Sequence, residues 1–228
     1  MSRFNATLKT IEASYQKLDP SSVLGREVGL QERKSAQMRL QILEATTNSL
    51  AVNGYANTTT QLVAQASKIS RGALLHHYST RTHLIDATAD FISTRTLRNY
   101  IAEVKQLSDK ERKQDGSGVE VFWNLTKSVE SQAWRVLSSA SRTDPELKEI
   151  FLPKAKRHDK LVLSILPEIF PEWANTDPSD IQLAHDLINV MVIGLDAHQD
   201  VMSSKRRRVA LRKYVFDAVQ LIREVDNE

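Results

Sequence analysis

An all-α fold follows from three features of the 228-residue chain. Only seven glycines occur, none between Val119 and Ile193. Alternating strand patterns are scarce, and apolar residues recur instead at helical spacing, as in Phe122, Leu125, Val129, Ala133 and Val136, or Ala184, Leu187, Ile188, Met191 and Leu195. Breaks fall at Asp19-Pro20-Ser21-Ser22, Ser108 to Gly118, Thr143-Asp144-Pro145, and Leu166 to Asp180 with its three prolines.

The elements can be justified in order. Leu8, Ile11, Tyr15 and Leu18 predict an amphipathic helix in an N-terminal extension, residues 1–32, that docks on the body of the protein. Met38, Ile42, Ala45 and Ser49 stripe a helix over about 35–52, which Asn53-Gly54 ends. Thr58 with Gln61 three residues later fits a capping box for a short helix ending near Ser67. Ser70 then caps a helix over 71–78, and Ser79-Thr80 a longer one reaching about Leu107. Two short helices joined by a three-residue turn read as helix-turn-helix, within a unit spanning 33–84. Residues 85–228 form the remaining body, closing with helices over about 181–202 and 204–225.

Composition bounds the function. Hydrophobic residues at 41% and charged residues at 26% describe an ordinary globular chain. No cysteine is present, which excludes disulfides, thiolate metal cages and cysteine nucleophiles. The apolar stretch Leu187–Leu195, between Asp186 and Asp196, is far shorter than the roughly 20 residues of a membrane span. With no signal-like apolar N-terminal core, the cytoplasm is the expected compartment and no membrane contact is expected. The formal charge of +3 hides an asymmetry: residues 33–84 carry Arg33, Lys34, Arg39, Lys68, Arg71 and Arg81 against Glu44 alone, while residues 1–32 sum to zero. A local +5 suggests a polyanionic partner for that block, although basic stretches are commonly just solvated faces.

If Leu74 and Tyr78 face inward on the helix that starts at Arg71, then Gly72, Leu75 and His76 point away. The outward face is thin and nearly uncharged, suited to entering the major groove of double-stranded DNA with Arg71 as a bidentate donor at its leading end. The run Arg39, Ile42-Leu43, Ala45, Leu50, Gly54-Tyr55, Thr58-Thr59, Val63-Ala64, Ile69-Ser70, Gly72, Leu74, His77-Tyr78 and Leu84 resembles, in one register without a gap, the N-terminal DNA-binding domain of the tetracycline-repressor (TetR) family. The resemblance implies a three-helix head on an all-helical ligand-binding and dimerisation body, usually a repressor released from its operator by a small molecule. It places Arg71, Ala73 and His76 at bases or backbone, and Thr59 or Thr60, His77 and Arg81 near phosphates; Gly72, Arg33 and Lys34 complete the candidate DNA-binding set. Three positions depart from the pattern: Lys68 stands where the turn usually has glycine, Leu75 where tyrosine is usual, and Arg81, which keeps the charge, where lysine is usual early in the next helix. Lys68 is expected to supply a phosphate contact that Leu75 cannot.

Other chemistries find no foothold. There is no G-x-S-x-G elbow, phosphate loop or dinucleotide fingerprint, so no catalytic residue or cofactor is assigned. His76, His77 and His83 lack a metal-ligand spacing, and no metal site is expected. Lys205 to Arg208 reads as a solvated run. Leu183, Val190, Ile193 and Ala197 give the penultimate helix a second apolar face, and Gly194 permits close approach, so a homodimer reading a palindromic operator is expected. For an effector, Trp123 and Trp134, eleven apart and read as one face of one helix, with Glu130 between them and Phe151 and His158 on the next helix, are the candidate contacts, against the plainer reading that they are core. Two readings stay open: a ligand-responsive, sequence-specific transcriptional regulator, and an all-helical dimeric interaction module without operator binding.

Overall fold

The computed structural model describes residues 18–112, 117–198, 200–202 and 204–224. Among them no strand occurs; the helices are α1 (Ser21–Leu24), α2 (Leu30–Asn57), α3 (Thr60–Ser67), α4 (Arg71–His77), α5 (Arg81–Gln106), α6 (Asp109–Arg112), α7 (Ser117–Leu125), α8 (Val129–Ala140), α9 (Pro145–Ile169), α10 (Pro178–Ala197) and α11 (Lys205–Glu224). The amphipathic helix predicted on Leu8, Ile11 and Tyr15 lies outside the described residues.

Packing divides the chain into two compact units. The first holds the described residues up to Arg98 together with Ser128–His158; the second holds Asn99–Lys127 and the chain from Asp159 onward. The boundary expected between residues 84 and 85 therefore lies inside α5 and inside one unit. The reason is visible in two adjacent buried side chains: Leu84 closes a core with Leu40, Leu43, Val63, Leu74 and Tyr78. Its neighbour Ile85 joins Leu50, Ala89, Ile92, Ala133, Leu137, Leu147 and Phe151 in the next. Helix α2 is long enough to serve both cores, so α8 packs along it instead of standing apart.

Hydroxyl and glycine signals mark helix ends near their expected places, although α2 runs from Leu30 to Asn57 where a helix over about 35–52 was expected. Gly54 takes φ 77°, ψ 172° and kinks the end of α2, a left-handed φ that glycine adopts without a Cβ penalty. Ser70 accepts the Ala73 N–H at 3.2 Å, and Thr80 accepts that of His83 at 3.0 Å. Asp177 caps α10 ahead of Pro178, which sits in its first turn.

Two expectations are corrected. Trp123 and Trp134 do not share a helix: α7 ends at Leu125, and α8 restarts with Ser128 accepting the Ser131 N–H at 3.2 Å. Without a Gly or Pro in the link, hydroxyl capping makes the break, as Thr126 Oγ1 turns back to donate to the Trp123 carbonyl. The break expected from Leu166 also comes late, because α9 continues to Ile169 before the 3₁₀ turn Pro171–Trp173.

In the second unit, α10 and α11 pack through Ala184, Val215 and Val219, with Trp173, Leu187 and Met191 around them. Trp123 closes a separate core with Val192 and Leu195. Leu183, Val190, Tyr214 and Leu221 lie outside both and are exposed.

Candidate nucleic-acid interface

The interface is built on the end of α2. The Thr58 hydroxyl is buried, donates to the Gly54 carbonyl at 2.8 Å and lies 3.1 Å from Ser49 Oγ. Being engaged there, Thr58 cannot cap the following helix. The capping role passes one residue on to Thr59, which accepts the Leu62 N–H at 3.2 Å, in place of the Thr58–Gln61 box read from the sequence.

Helix α3 ends on Lys68, whose φ of 57° and ψ of 32° are left-handed. Left-handed backbone costs a residue with a Cβ about 1–2 kcal/mol. Hydrogen bonds to the last helical carbonyls offset part of it, with Ile69 N donating to Ala64 at 3.1 Å and Lys68 N to Gln65 at 3.2 Å. The turn keeps its shape without glycine, and the Lys68 side chain is delivered to solvent beside the start of α4.

Helix α4 has two distinct faces. Leu74 and Tyr78 are buried in the core, as expected, and burial pushes the Tyr78 hydroxyl pKa up to about 12. Arg71, Gly72 and His76 are exposed, Ala73 is half-buried, and a methyl group on Gly72 would meet open space. Leu75 departs from the expectation: it is half-buried and packs against the core, so its apolar side chain stays out of water. An open groove of about 370 Å³ runs beside the turn, lined by Gln61, Ala64, Gln65, Lys68, Ile69 and Arg71. Gln61 and Gln65 were not singled out as site residues by sequence reasoning. Their i, i+4 spacing on the exposed side of α3 was the available signal.

Two residues placed near phosphate by the resemblance are otherwise engaged. Arg81 donates from Nε to the Thr58 carbonyl at 2.9 Å and from Nη2 to that of Tyr55, with its guanidinium 4.1 Å over the Tyr55 ring. It therefore satisfies backbone acceptors at the end of α2, where a cation suits the helix dipole. His77 Nε2 lies 3.2 Å from Met38 Sδ on α2. Burial, His76 and Arg39 together hold its pKa below the ordinary 6.5, so the ring favours its neutral form. Arg33 and Lys34 are exposed near the start of α2, Thr59 is exposed and Thr60 half-buried.

Of the effector candidates, three come together in the first unit. The Trp134 ring centroid lies 4.7 Å from that of Phe151 and 5.3 Å from that of His158, whose Nδ1 is 3.0 Å from Ser93 Oγ. Phe151 is buried, and Trp134 and Glu130 are half-buried. Trp123 belongs to the second unit. No metal-ligand cluster of His, Asp and Glu occurs among the described residues, and no helix there is long and apolar enough to cross a membrane.

Comparison with known proteins agrees with this geometry. Residues 42–88 match the sequence model of the bacterial regulatory proteins of the tetR family. An uncharacterized HTH-type transcriptional regulator of Mycobacterium tuberculosis is 24% identical over 147 residues, covering 62% of this chain and 75% of the relative. A TetR-family member from Streptomyces coelicolor A3 aligns with TM-score 0.58 at 19% identity over 78% of this chain and 96% of its own. A TetR-family transcription regulator from Marinobacter aquaeolei VT8 aligns with TM-score 0.58 at 16% identity over 82% and 97%. The multidrug binding protein EbrR, solved with imidazole, aligns with TM-score 0.53 at 17% identity over 78% and 92%. The matched trihelical head and the shared all-helical fold lead to one conclusion: residues 42–88 form a DNA-binding head of the tetR type, on a chain that shares the all-helical fold of TetR-family structures.

Proposed function

We propose that the protein is a homodimeric repressor that reads a palindromic operator through α4 and is released by a small-molecule effector. The observation that carries the reading is the division of α4: its apolar side is locked in the core, while Arg71, Gly72 and His76 stand exposed on a helix slim enough for the major groove. In this reading residues 33–84 are the DNA-binding head, residues 85–228 the ligand-binding and dimerisation body, and residues 1–32 an extension. Arg71 takes base edges, Ala73 and His76 bases or backbone, and Thr59, Thr60, Lys68, Arg33 and Lys34 phosphates. Arg81 and His77 act from behind, holding the ends of α2 and α4.

Dimerisation is supported by the second face of α10 and α11, where Val190 and Tyr214 are each 70% exposed and Leu183 is 53% exposed. Such side chains on neighbouring helices form a face that a second copy would cover. A methyl group on Gly194 would meet nothing within 4 Å, which leaves room for a partner backbone. For the effector, Trp134, Phe151 and His158 with Glu130 and Ser93 offer an aromatic wall with a few polar groups, and Trp123 offers a second aromatic surface. EbrR's imidazole complex is one precedent for a ligand within this fold. A coupling of about 1–3 kcal/mol between effector and operator would change affinity roughly 5- to 150-fold.

Selecting DNA from a random pool with the purified protein, then measuring mobility shift over a range of salt, tests the proposal. A recovered inverted repeat bound with steep salt dependence and displaced only by specific competitor is the expected result. Flat, sequence-blind retardation would favour a dimeric interaction module that does not bind an operator.

A further inference from the structure

The segment ahead of α2 carries a buried carboxylate. Asp19 is 1% exposed, and its Oδ1 accepts the Ser21 N–H at 2.9 Å. Its Oδ2 receives Arg98 Nη1 at 2.5 Å and lies 3.7 Å from Arg95 Nε. Arg95 also reaches away from the segment: its Nη2 is 3.0 Å from Glu44 Oε1 on α2, and its guanidinium lies 4.5 Å over the Phe91 ring. Beside this network Pro20 is buried and Leu24 packs against the core that contains Leu40, Leu43 and Leu74. All these residues lie within the first compact unit.

A solvent-exposed ion pair constrains little, because its partners trade protein for water at almost no cost. An enclosed carboxylate has no such exchange open to it and must keep its paired geometry. Here one enclosed carboxylate is shared by two guanidiniums on α5, and one of those also holds α2. The arrangement fixes three elements at once: the segment 19–24, the middle of α2 and the second half of α5. Helix α2 leads through its Gly54 kink into α3 and α4, so the angle of α2 on α5 is the angle at which the reading helix is presented.

We propose that Asp19 is a positioning residue for operator binding: acting through Arg95 and Glu44, the segment 19–24 straps α2 to α5 and sets the separation of the two reading helices in the dimer. The inference rests on the dimeric reading above and adds to it a determinant that touches no DNA. A strap of this kind affects which half-site spacing is bound, whereas a purely structural salt bridge affects only the melting temperature.

The test uses the full chain, with Asp19→Asn and Glu44→Gln each compared with wild type. Binding is measured on the selected operator and on versions with the half-site spacing lengthened or shortened by one and two base pairs, across several salt concentrations. On the preferred spacing, Asp19→Asn should lose about fivefold or more, a coupling-sized effect, and Glu44→Gln should lose less. The advantage of the preferred spacing should shrink in both, with the salt slope unchanged because no phosphate contact is removed. Variants that keep wild-type affinity and spacing preference overturn the strap, and so does a uniform loss on all spacings with a shallower salt slope. Thermal melting shows whether Asp19→Asn folds; if it does not, the half-exposed Glu44→Gln decides alone. A wild-type protein with no spacing preference overturns both the two-fold reading and the strap, whereas a wild-type preference retained by both variants overturns the strap only.

Discussion

The tip and the base of the reading head use the same residue types for opposite ends. At the tip, Lys68 and Arg71 are exposed, line one groove and form no ion pair among the described residues. At the base, Arg81 is half-buried against Tyr55 and gives its donors to the carbonyls of Tyr55 and Thr58, while Arg95 bridges Asp19 and Glu44. A net charge summed along the sequence cannot separate the two. The local +5 of residues 33–84 counts Arg81 with Arg71, although the first acts on the protein and the second is free to act on a polyanion. Cations that hold the scaffold and cations that face DNA should therefore respond differently to substitution, and four measurements can break or sharpen that contrast.

The largest effect is expected at the tip. Arg71→Ala should weaken operator binding by about 1–3 kcal/mol, roughly 5- to 150-fold, and relax sequence preference at one base pair in each half-site, as measured by competition with single-substitution operators. Equal losses on specific and random DNA would reduce Arg71 to a phosphate contact. At the base, Arg81→Ala should cost about 1–2 kcal/mol of stability, because it strands two backbone acceptors and the Tyr55 ring, lowering Tm by about 2–8 °C with the salt slope of DNA binding unchanged. A slope reduced by one charge with Tm intact would return Arg81 to the phosphates.

Lys68 belongs to both descriptions, since its side chain is at the tip and its backbone is strained. Lys68→Gly should raise stability by about 0.5–1 kcal/mol, left-handed strain relieved less the entropy of glycine. Lys68→Ala should keep the strain, and both should flatten the salt slope by about one charge. If Lys68→Gly melts below wild type, the strain is not stored at this turn.

The smallest effect is expected at His77. Because its folded pKa lies below the ordinary 6.5, the unfolded chain binds the proton more readily. The stability linked to this ring is therefore fully present above about pH 6.5 and lost as pH falls from there through the depressed folded value. His77→Gln should show a shallower loss of denaturation midpoint over that acid range than wild type; identical profiles would mean that the ring is not held neutral.

Much of the head was legible because its signals are local. Gly54, Ser70 and Thr80 mark helix ends through their own backbone or hydroxyl chemistry, and Leu74 and Tyr78 face inward by helical spacing alone. Long-range partners were less so. Nothing in the sequence pairs Asp19 with Arg95, or Arg81 with a carbonyl 26 residues earlier, since such pairs depend on which helices pack together. The same limit explains Leu75, whose apolar side chain tips toward the core. The separation of Trp123 from Trp134 was hidden for another reason: Thr126-Lys127-Ser128 breaks the helix through hydroxyl capping, a weaker sequence signal than glycine or proline. The faces of α10 and α11 could be read as apolar, but their exposure in a single chain is visible only once Ala184, Val215 and Val219 are seen to form the buried side.

The central claim, that α4 enters duplex DNA with Arg71 leading and does so twice about a symmetry axis, is tested most directly by chemical footprinting of the selected operator with wild type and Arg71→Ala. The account predicts protection of two major-groove patches on the same side of the duplex at a fixed separation, with guanine N7 atoms in both patches losing protection together in the variant. A single unpaired patch, or protection confined to the minor groove and indifferent to Arg71, would contradict it.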